Sequence, residues 1–325
     1  MVEISVIVVT YNQEDSIART LDSILSQRLD VEYEIVIGDD ASTDATGDIC
    51  QDYARRFPDK ICYLRRPQNM GVVDNYFDCI RRARGNWIAD CAGDDVWVDD
   101  TKLQSQLNVV REYSDVSMVA TDWMCRDSQT GELSRQSNAL PPRGMEFYPP
   151  GTLLTDIVTQ RRMVHLCTAL YSRDLIIDFA DRHPSLCLDR EFACEDLQII
   201  LAMAHAGRVV ILPQITLHYS IGHDSVSHRK EPDQMFEYTR RVVRQSLMLQ
   251  RHFNVSGDEV RKFNSRRIEY LASLAFRCDS RSNREIVARF IKQYDITPTL
   301  KTRIYLRIMS SPFTQRLARK IIDAL

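Results

Sequence analysis

Between residues 3 and 95 the chain alternates two hydrophobic periods. The strand-like runs "ISVIVVTY", "EYEIVIGDD", "KICYLRR" and "NWIADCAGDD" are separated by "NQEDSIARTLDSILSQ", "STDATGDICQDYARRF" and "GVVDNYFDCIRRARG", which have helical spacing. In the first helix Ile17, Leu21, Ile24 and Leu25 fall on one face. This alternation leaves few folds open, because short β and α units in series pack as right-handed βαβ crossovers on a parallel sheet. "ISVIVVTY" is apolar on both faces, as a strand covered from both sides requires. Polar residues gather where the strands end, at Thr10-Tyr11-Asn12, Asp39-Asp40 and Asp94-Asp95. Open α/β sheets bind ligands at the carboxyl ends of their strands, so these three ends are expected to form one composite site.

The pattern continues with a helix in "WVDDTKLQSQLNVVREY" and a strand in "VSMVATDWM". It loosens in the Pro-, Gly- and Ser-rich "SQTGELSRQSNALPPRGMEFYPPG" and returns, part strand and part helix, in "VHLCTALYSRDLIIDFA" and "CEDLQIILAMAHAGRVVILP". "TLHYSIGHDSVSHRKEP" reads as a strand running into a loop, and from about residue 232 the chain reads as helices. Ser42 or Thr43 is the expected N-cap of the second helix.

"CAGDDVWVDD", residues 91–100, packs four aspartates into ten residues. Carboxylates this close repel, and such a cluster persists where water solvates it or a cation neutralises it. Asp99 and Asp100 stand just before "TKLQSQL", where acids suit a helix start. Asp94 and Asp95 follow a strand read as buried on both faces, and at a cleft edge they suit Mg²⁺ or Mn²⁺ with positions left for phosphate oxygens. "GDDAST", residues 38–43, repeats the arrangement one unit earlier. There an aspartate either accepts a hydrogen bond from a nucleobase N–H or caps the next helix. The first βα turn has no GxGxxG and the chain has no GxxxxGK[ST], which argues against a Rossmann dinucleotide site and a P-loop.

The blocks "SVIVVTYNQEDSIARTLDSILSQ", "YEIVIGDDASTDAT", "NMGVVDNYFDCIRRARGNWIADCAGDDVWVDDTKLQSQ" and "CEDLQIILAMAHAG" occur in this order over roughly residues 3–225. Together they resemble a family 2 glycosyltransferase of the inverting, metal-dependent type A fold, of the kind that builds bacterial surface polysaccharides. The resemblance implies an α/β domain at 1–230 with a mixed, mostly parallel sheet. Residues 1–125 would bind the nucleotide-sugar and 126–230 the acceptor, with a helical region at 231–325. It also implies site roles. Thr10, Tyr11 and Asn12 would contact the nucleotide, Asp40 the uracil with Asp39 beside it, Asp94 the donor ribose or sugar, and Asp95 a divalent metal (Mn²⁺ or Mg²⁺). Gly93 stands where the family's DxD-like block carries its first aspartate. Asp196, in "CEDLQII", would be the base that takes the acceptor proton, with Glu195 as the neighbouring alternative. The same two acids also suit the first turn of a helix over 196–206. Trp97 either shapes the sugar pocket or packs in the cleft wall. His165 either lines the acceptor cleft or is a satisfied semi-buried histidine. In "HYSIGHDSVSH" Ser220 replaces the family's arginine. His223, one position late, either meets the diphosphate or metal or is a loop histidine. The spacing of His218, His223 and His228 fits no zinc pattern.

Nine cysteines, an odd number with no CxxC pair, read as reduced and mostly buried thiols. The start, "MVEISVIVVTYN", runs straight into a strand with no basic leader, so a cytoplasmic location is the expectation. Residues 1–240 hold 24 Lys+Arg against 38 Asp+Glu, a net −14, and residues 241–325 hold 18 against 7, a net +11. The basic tail "LKTRIYLRIMSSPFTQRLARKIIDAL" has an amphipathic pattern suited to an anionic membrane surface, and equally to a helical cap or a homodimer face. The charge lacks the aromatic interleaving of a nucleic-acid surface. The activity implied is transfer from a nucleotide-sugar, UDP-linked by preference, to a saccharide or polyprenyl-linked saccharide. The competing reading is a non-catalytic nucleotide-sugar-binding protein of the same fold. A nucleotidyltransferase would want a Gly-rich basic loop after the first strand, and "VVTYNQED" offers none.

Overall fold

A computed structural model of the chain describes residues 2–136, 141–222, 231–278 and 280–311. The chain divides into two compact units, one of Met1–Arg190 with Cys194–His223, the other of Glu191–Ala193 with Asp224–Leu325. In the first unit the order is β1 (Val2–Thr10), α1 (Ile17–Leu25), β2 (Glu32–Asp39), α2 (Thr46–Arg56), β3 (Ile61–Arg65), α3 (Val72–Arg82), β4 (Trp87–Asp90), β5 (Val96–Trp97) and α4 (Lys102–Glu112). It continues with β6 (Val116–Asp127), β7 (Leu133–Ser134), β8 (Glu146–Tyr148), α5 (Leu154–Val158), β9 (Leu170–Ser172), α6 (Arg173–Arg182), α7 (Pro184–Cys187), α8 (Asp196–Ala206) and β10 (Arg208–Ile221). A single 3₁₀ turn, Leu166–Thr168, precedes β9.

The strands form one mixed sheet in the order β3-β2-β1-β4-β9-β6-β10-β5, with β7 beside β6 and β8 beside β10. The β3, β2, β1, β4 half is parallel, as the βα alternation predicts. β9 enters antiparallel between β4 and β6 and makes the sheet mixed. β1 lies in the middle, with Ile4, Val6, Ile7 and Val8 at 1% exposure or less. Burying each such side chain stabilises the fold by roughly 1.5–3 kcal/mol. β10 runs 14 residues through Pro213, where the register against β6 shifts between Ile211 and Ile215. The proline, which cannot donate to a ladder, falls in that irregular stretch.

Much of the polar interior of this half is paired. The Glu34 carboxylate, 3% exposed, accepts from Ser5 Oγ (2.7 Å), Arg84 N (2.7 Å) and Arg84 Nε (2.7 Å), and Ser5 Oγ in turn accepts from Gly85 N (2.8 Å). α3 lies close on β2 because Gly38 has no Cβ. A methyl there would stand 2.5 Å from Cys79 Sγ and 2.6 Å from Asn75 Oδ1, and Asn75 Nδ2 donates to the Gly38 carbonyl (2.8 Å).

α2 starts at Thr46, later than its expected cap. Asp44 Oδ1 accepts from Thr46 N (3.0 Å), while the Ser42 hydroxyl is engaged by Asn12 N (3.0 Å). Ser42 and Thr43 therefore shape the turn before the helix and do not cap it. At α4, Asp99 Oδ1 takes Thr101 N (2.8 Å), and Asp100 pairs with Arg28 (2.9 Å).

The second unit holds α9 (Pro232–His252), α10 (Asp258–Arg277), α11 (Arg281–Gln293) and α12 (Leu300–Ile308) around its own core, which includes Phe236, Leu247, Ile268, Leu271 and Val287. No described helix is long and apolar enough to cross a membrane.

Gly38→Ala is expected to destabilise the first unit by roughly 1–3 kcal/mol, through a forced retreat of α3 from the sheet. Thermal melting checks this, and an unchanged midpoint would show that Asn75 and Cys79 yield freely.

Candidate active site

The three expected strand ends meet around β1. Thr10 and Asp39 are register partners of β1 and β2, and Cys91 N and Gly93 N reach back to the carbonyls of Ile7 (3.1 Å) and Val9 (3.2 Å). Thr10, 4% exposed, donates through Oγ1 to Gln13 Oε1 (2.7 Å). Tyr11 is 46% exposed at the rim. Asn12 takes a left-handed φ of 53°, and its Oδ1 accepts from Thr43 N (2.8 Å), which ties the first strand end to the second.

The two aspartates after β2 differ from each other. Asp39 is fully buried and works as a brace: its carboxylate accepts from Ser42 N (2.9 Å) and Tyr63 OH (2.8 Å), with the Arg65 guanidinium 3.9 Å away. Asp40 accepts from Met70 N (2.8 Å) and Gly71 N (2.9 Å), so it clasps the loop that leads into α3.

The loop after β4 is held from several sides. Ser16 Oγ donates to the Gly93 carbonyl (2.9 Å) and Thr20 Oγ1 to the Asp95 carbonyl (2.7 Å). From β10, Ser220 N donates to Asp95 Oδ1 (3.0 Å) and Ser220 Oγ to the Asp94 carbonyl (2.5 Å). A Cβ on residue 93 would come within 2.4 Å of Gln13 Oε1 and 2.8 Å of Thr10 Oγ1. The close packing of this loop on β1 explains why glycine stands where an aspartate is otherwise expected.

Asp95 is fully buried, yet its Oδ2 has no hydrogen-bond partner among the described residues. Burial, and then the charge of Asp94, push its carboxyl well above the usual range. The Asp95 oxygen, a His165 ring nitrogen and Cys167 Sγ lie within 4.8 Å of one another. His165 therefore stands beside Asp95, and burial lowers its pKa to about 4, which keeps the imidazole neutral at neutral pH. A buried carboxylate oxygen with no donor, facing an imidazole and a thiol, is a donor set that fits a divalent cation. Trp97 is 4% exposed, its indole N–H donates to the Cys167 carbonyl (3.0 Å), and Lys102 Nζ lies 4.1 Å from the ring centroid. His223, the other expected metal contact, lies outside the described residues.

Asp196 opens α8, and the side chain of Glu195 at its N-cap makes no capping bond. Glu195 is 8% exposed with a partnerless Oε2, whereas Asp196 keeps partial solvent contact. Burial raises the Asp196 carboxyl to about 6, and burial with the charge of Asp196 raises Glu195 well above its usual value. The charge of Asp196 also reaches Asp95 and Asp90. Asp90 was not anticipated as part of the site. It is 3% exposed, hydrogen bonded by Tyr76 and pushed up to about 8 by burial, and its Oδ2 lacks a partner. The available signal was an aspartate inside "WIAD", a strand read as buried on both faces.

The chain belongs to glycosyl transferase family 2, whose family model matches residues 5–179, more than half of its length. It is 30% identical over 171 residues to TuaG of Bacillus subtilis, named as a glycosyltransferase of teichuronic acid biosynthesis, across 53% of this chain and 62% of TuaG. It is 39% identical over 114 residues to an uncharacterised protein of Mycobacterium tuberculosis, across 35% of this chain and 33% of that protein. The chain thus matches only a third to about three fifths of the length of these curated relatives. The crystal structure of S. aureus TarS 1–349 in complex with UDP-GlcNAc superposes with a TM-score of 0.59 at 17% identity, covering 94% of this chain and 91% of that one, and establishes a shared fold.

Because the native carboxyl of Asp95 sits above its unfolded value, its contribution to stability is present at low pH and is lost as pH rises from about 4. In the metal-free protein Asp95→Asn is expected to raise the melting temperature at pH 7–8 by several degrees. That corresponds to roughly 1–3 kcal/mol from replacing a buried carboxyl whose Oδ2 lacks a hydrogen-bond partner. A lower melting temperature for the variant would show that Asp95 is satisfied in the resting protein.

Proposed function

We propose that this chain transfers a sugar from a nucleotide-sugar donor to a hydroxyl of a saccharide or lipid-linked saccharide, with inversion. The observation that supports it most is the contrast among its buried acids. Glu34, Asp39 and Asp40 are paired on both oxygens. Asp95, Asp90 and Glu195, grouped by charge around Asp196, each keep an oxygen with no partner. Folding leaves buried carboxylates unpaired where a ligand completes them.

In this reading Thr10, Tyr11 and Asn12 form the rim against which the nucleotide lies. Asp40 accepts from the base with the lone pairs that Met70 N and Gly71 N leave free, and Asp39 holds the turn beneath. TarS was solved with UDP-GlcNAc, which favours a uridine donor. Asp94 faces the donor sugar. Asp95, with His165 beside it, would hold a divalent cation, Mn²⁺ or Mg²⁺. When bound, that ion neutralises charge on the departing diphosphate.

Asp196 is the base. Its carboxylate takes the acceptor hydroxyl proton as that oxygen bonds to the anomeric carbon and the nucleoside diphosphate departs from the opposite face. A carboxyl raised to about 6 is mostly ionised at pH 7 and is a stronger base than an exposed aspartate. Glu195, more deeply buried, has its carboxyl pushed well above the usual range by burial and by the charge of Asp196, which disfavours a second negative charge beside the base.

The polyprenyl-linked form of the acceptor gives the second unit a role at an anionic membrane surface. The outward residues of α12 include Leu300 (73% exposed) and Ile304 (48% exposed), with Lys301, Arg303 and Arg307 also exposed. Apolar side chains flanked by cations suit the headgroup boundary. The continuation of this tail over 312–325 lies outside the described residues.

Asp196→Asn is expected to lower turnover at least 100-fold while donor binding by calorimetry changes little. In the wild type, activity should fall as pH drops through about 6, because protonation removes the base. Near-normal turnover of the variant would place the base elsewhere. Donor binding without hydrolysis or transfer of any UDP- or GDP-sugar would favour a non-catalytic binding protein. Flotation with anionic vesicles should carry the full chain upward and fail for the Leu300→Glu/Ile304→Glu double variant. A wild type that stays at the bottom would remove the membrane role and leave a homodimer face as the use of α12, which sedimentation can read.

A further inference from the structure

The residues beside Asp95 are not the oxygen donors that a magnesium site collects. His165 brings an imidazole and Cys167 a thiol, and with the Asp95 carboxylate their ligand atoms lie within 4.8 Å of one another. The thiol sits on an ordered support. Trp97 Nε1 donates to the Cys167 carbonyl (3.0 Å), Gln106 Nε2 to the Thr168 carbonyl (2.8 Å), and Thr168 Oγ1 to the His165 carbonyl (2.7 Å). Ala92 N donates to Cys167 Sγ (3.4 Å), while burial, and then the charge of Asp95, push the thiol well above its ordinary value, so a bound cation has to displace its proton. The His165 ring is packed against Trp123 and Tyr219, with centroids 5.2 and 4.6 Å away. Asp95 Oδ2, fully buried and without a partner, completes the set.

Mg²⁺ demands octahedral oxygen ligands, whereas Zn²⁺ and Co²⁺ accept sulfur, nitrogen and oxygen in a tetrahedron with bonds of about 2.0–2.3 Å. Corners of such a tetrahedron are about 3.3–3.8 Å apart, so atoms at the 4.8 Å limit need to close by about 1–1.5 Å. We propose that Asp95, His165 and Cys167 form a three-ligand site for a thiophilic divalent cation, Zn²⁺ or Co²⁺, with the fourth tetrahedral position open to solvent or to an oxygen of the substrate. On binding, the Cys167 thiol becomes a thiolate and its proton passes to solvent. The proposal rests on the functional reading above but replaces the Mn²⁺ or Mg²⁺ named there, because Cys167 adds a sulfur donor to Asp95 and His165, and its test does not depend on sugar transfer.

Co²⁺ added to the full-length protein should produce the visible bands of a tetrahedral ion and a near-ultraviolet thiolate-to-cobalt charge-transfer band. Cys167→Ser should lose the charge-transfer band and lower the preference for Zn²⁺ over Mg²⁺ at least tenfold, while Cys91→Ser keeps both. X-ray absorption of the wild type with one equivalent of Zn²⁺ should show one sulfur at about 2.3 Å, a result that holds even if a variant fails to fold. A shell without sulfur, or a charge-transfer band that survives Cys167→Ser, overturns the proposal. Transfer supported by Mn²⁺ alongside a sulfur-free metal shell would sink it and leave the glycosyltransferase reading intact.

Discussion

Carboxylates held out of water without donors set the terms for this protein. A paired buried acid such as Glu34 is neutral in its effect or stabilising, because each oxygen keeps a hydrogen bond after leaving water. Asp95, Asp90 and Glu195 each give up part of that compensation, and the charge of Asp196 acts on all three. Their concentration in one place means that the energy is spent locally, at the end of β4 and the start of α8, where a ligand can recover it.

The fold has to supply the rigidity that keeps such acids from turning outward. β1 does much of this by lying between β2 and β4, so that three strand ends are fixed by one hydrogen-bonded ladder. Two missing side chains complete the arrangement. Gly38 lets α3 close on the sheet, and Gly93 lets the acidic loop settle onto Thr10 and Gln13. Ser220 then reaches across from β10 and fixes one Asp95 oxygen, leaving the other buried without a hydrogen-bond partner.

The parallel half of the sheet was readable in the chain because period and burial agree there: "ISVIVVTY" can be little else than a strand covered on both sides. The antiparallel entry of β9 between β4 and β6 was not readable, because three residues, Leu170–Ser172, carry too little period to fix a direction. The acidic strand ends could be located from their polarity, since charge is conspicuous after an apolar run. Their division of labour could not. Asp39 and Asp40 are adjacent and identical in kind, yet one is a buried brace and the other clasps the α3 loop. Cys167 looked like any buried thiol, because its position beside Asp95 depends on a turn held by Trp97 and Gln106. Ser220 lies 125 residues from Asp95 in the chain, a separation that no local pattern encodes.

The unmatched acids also bear on how long the molecule survives in a cell. A fold that carries unpaired buried acids opens more often while its site is empty, and proteases act on the open form. Copies with the site filled would then outlast empty ones. That link would need no dedicated regulator, only the repulsion built into the end of a single strand.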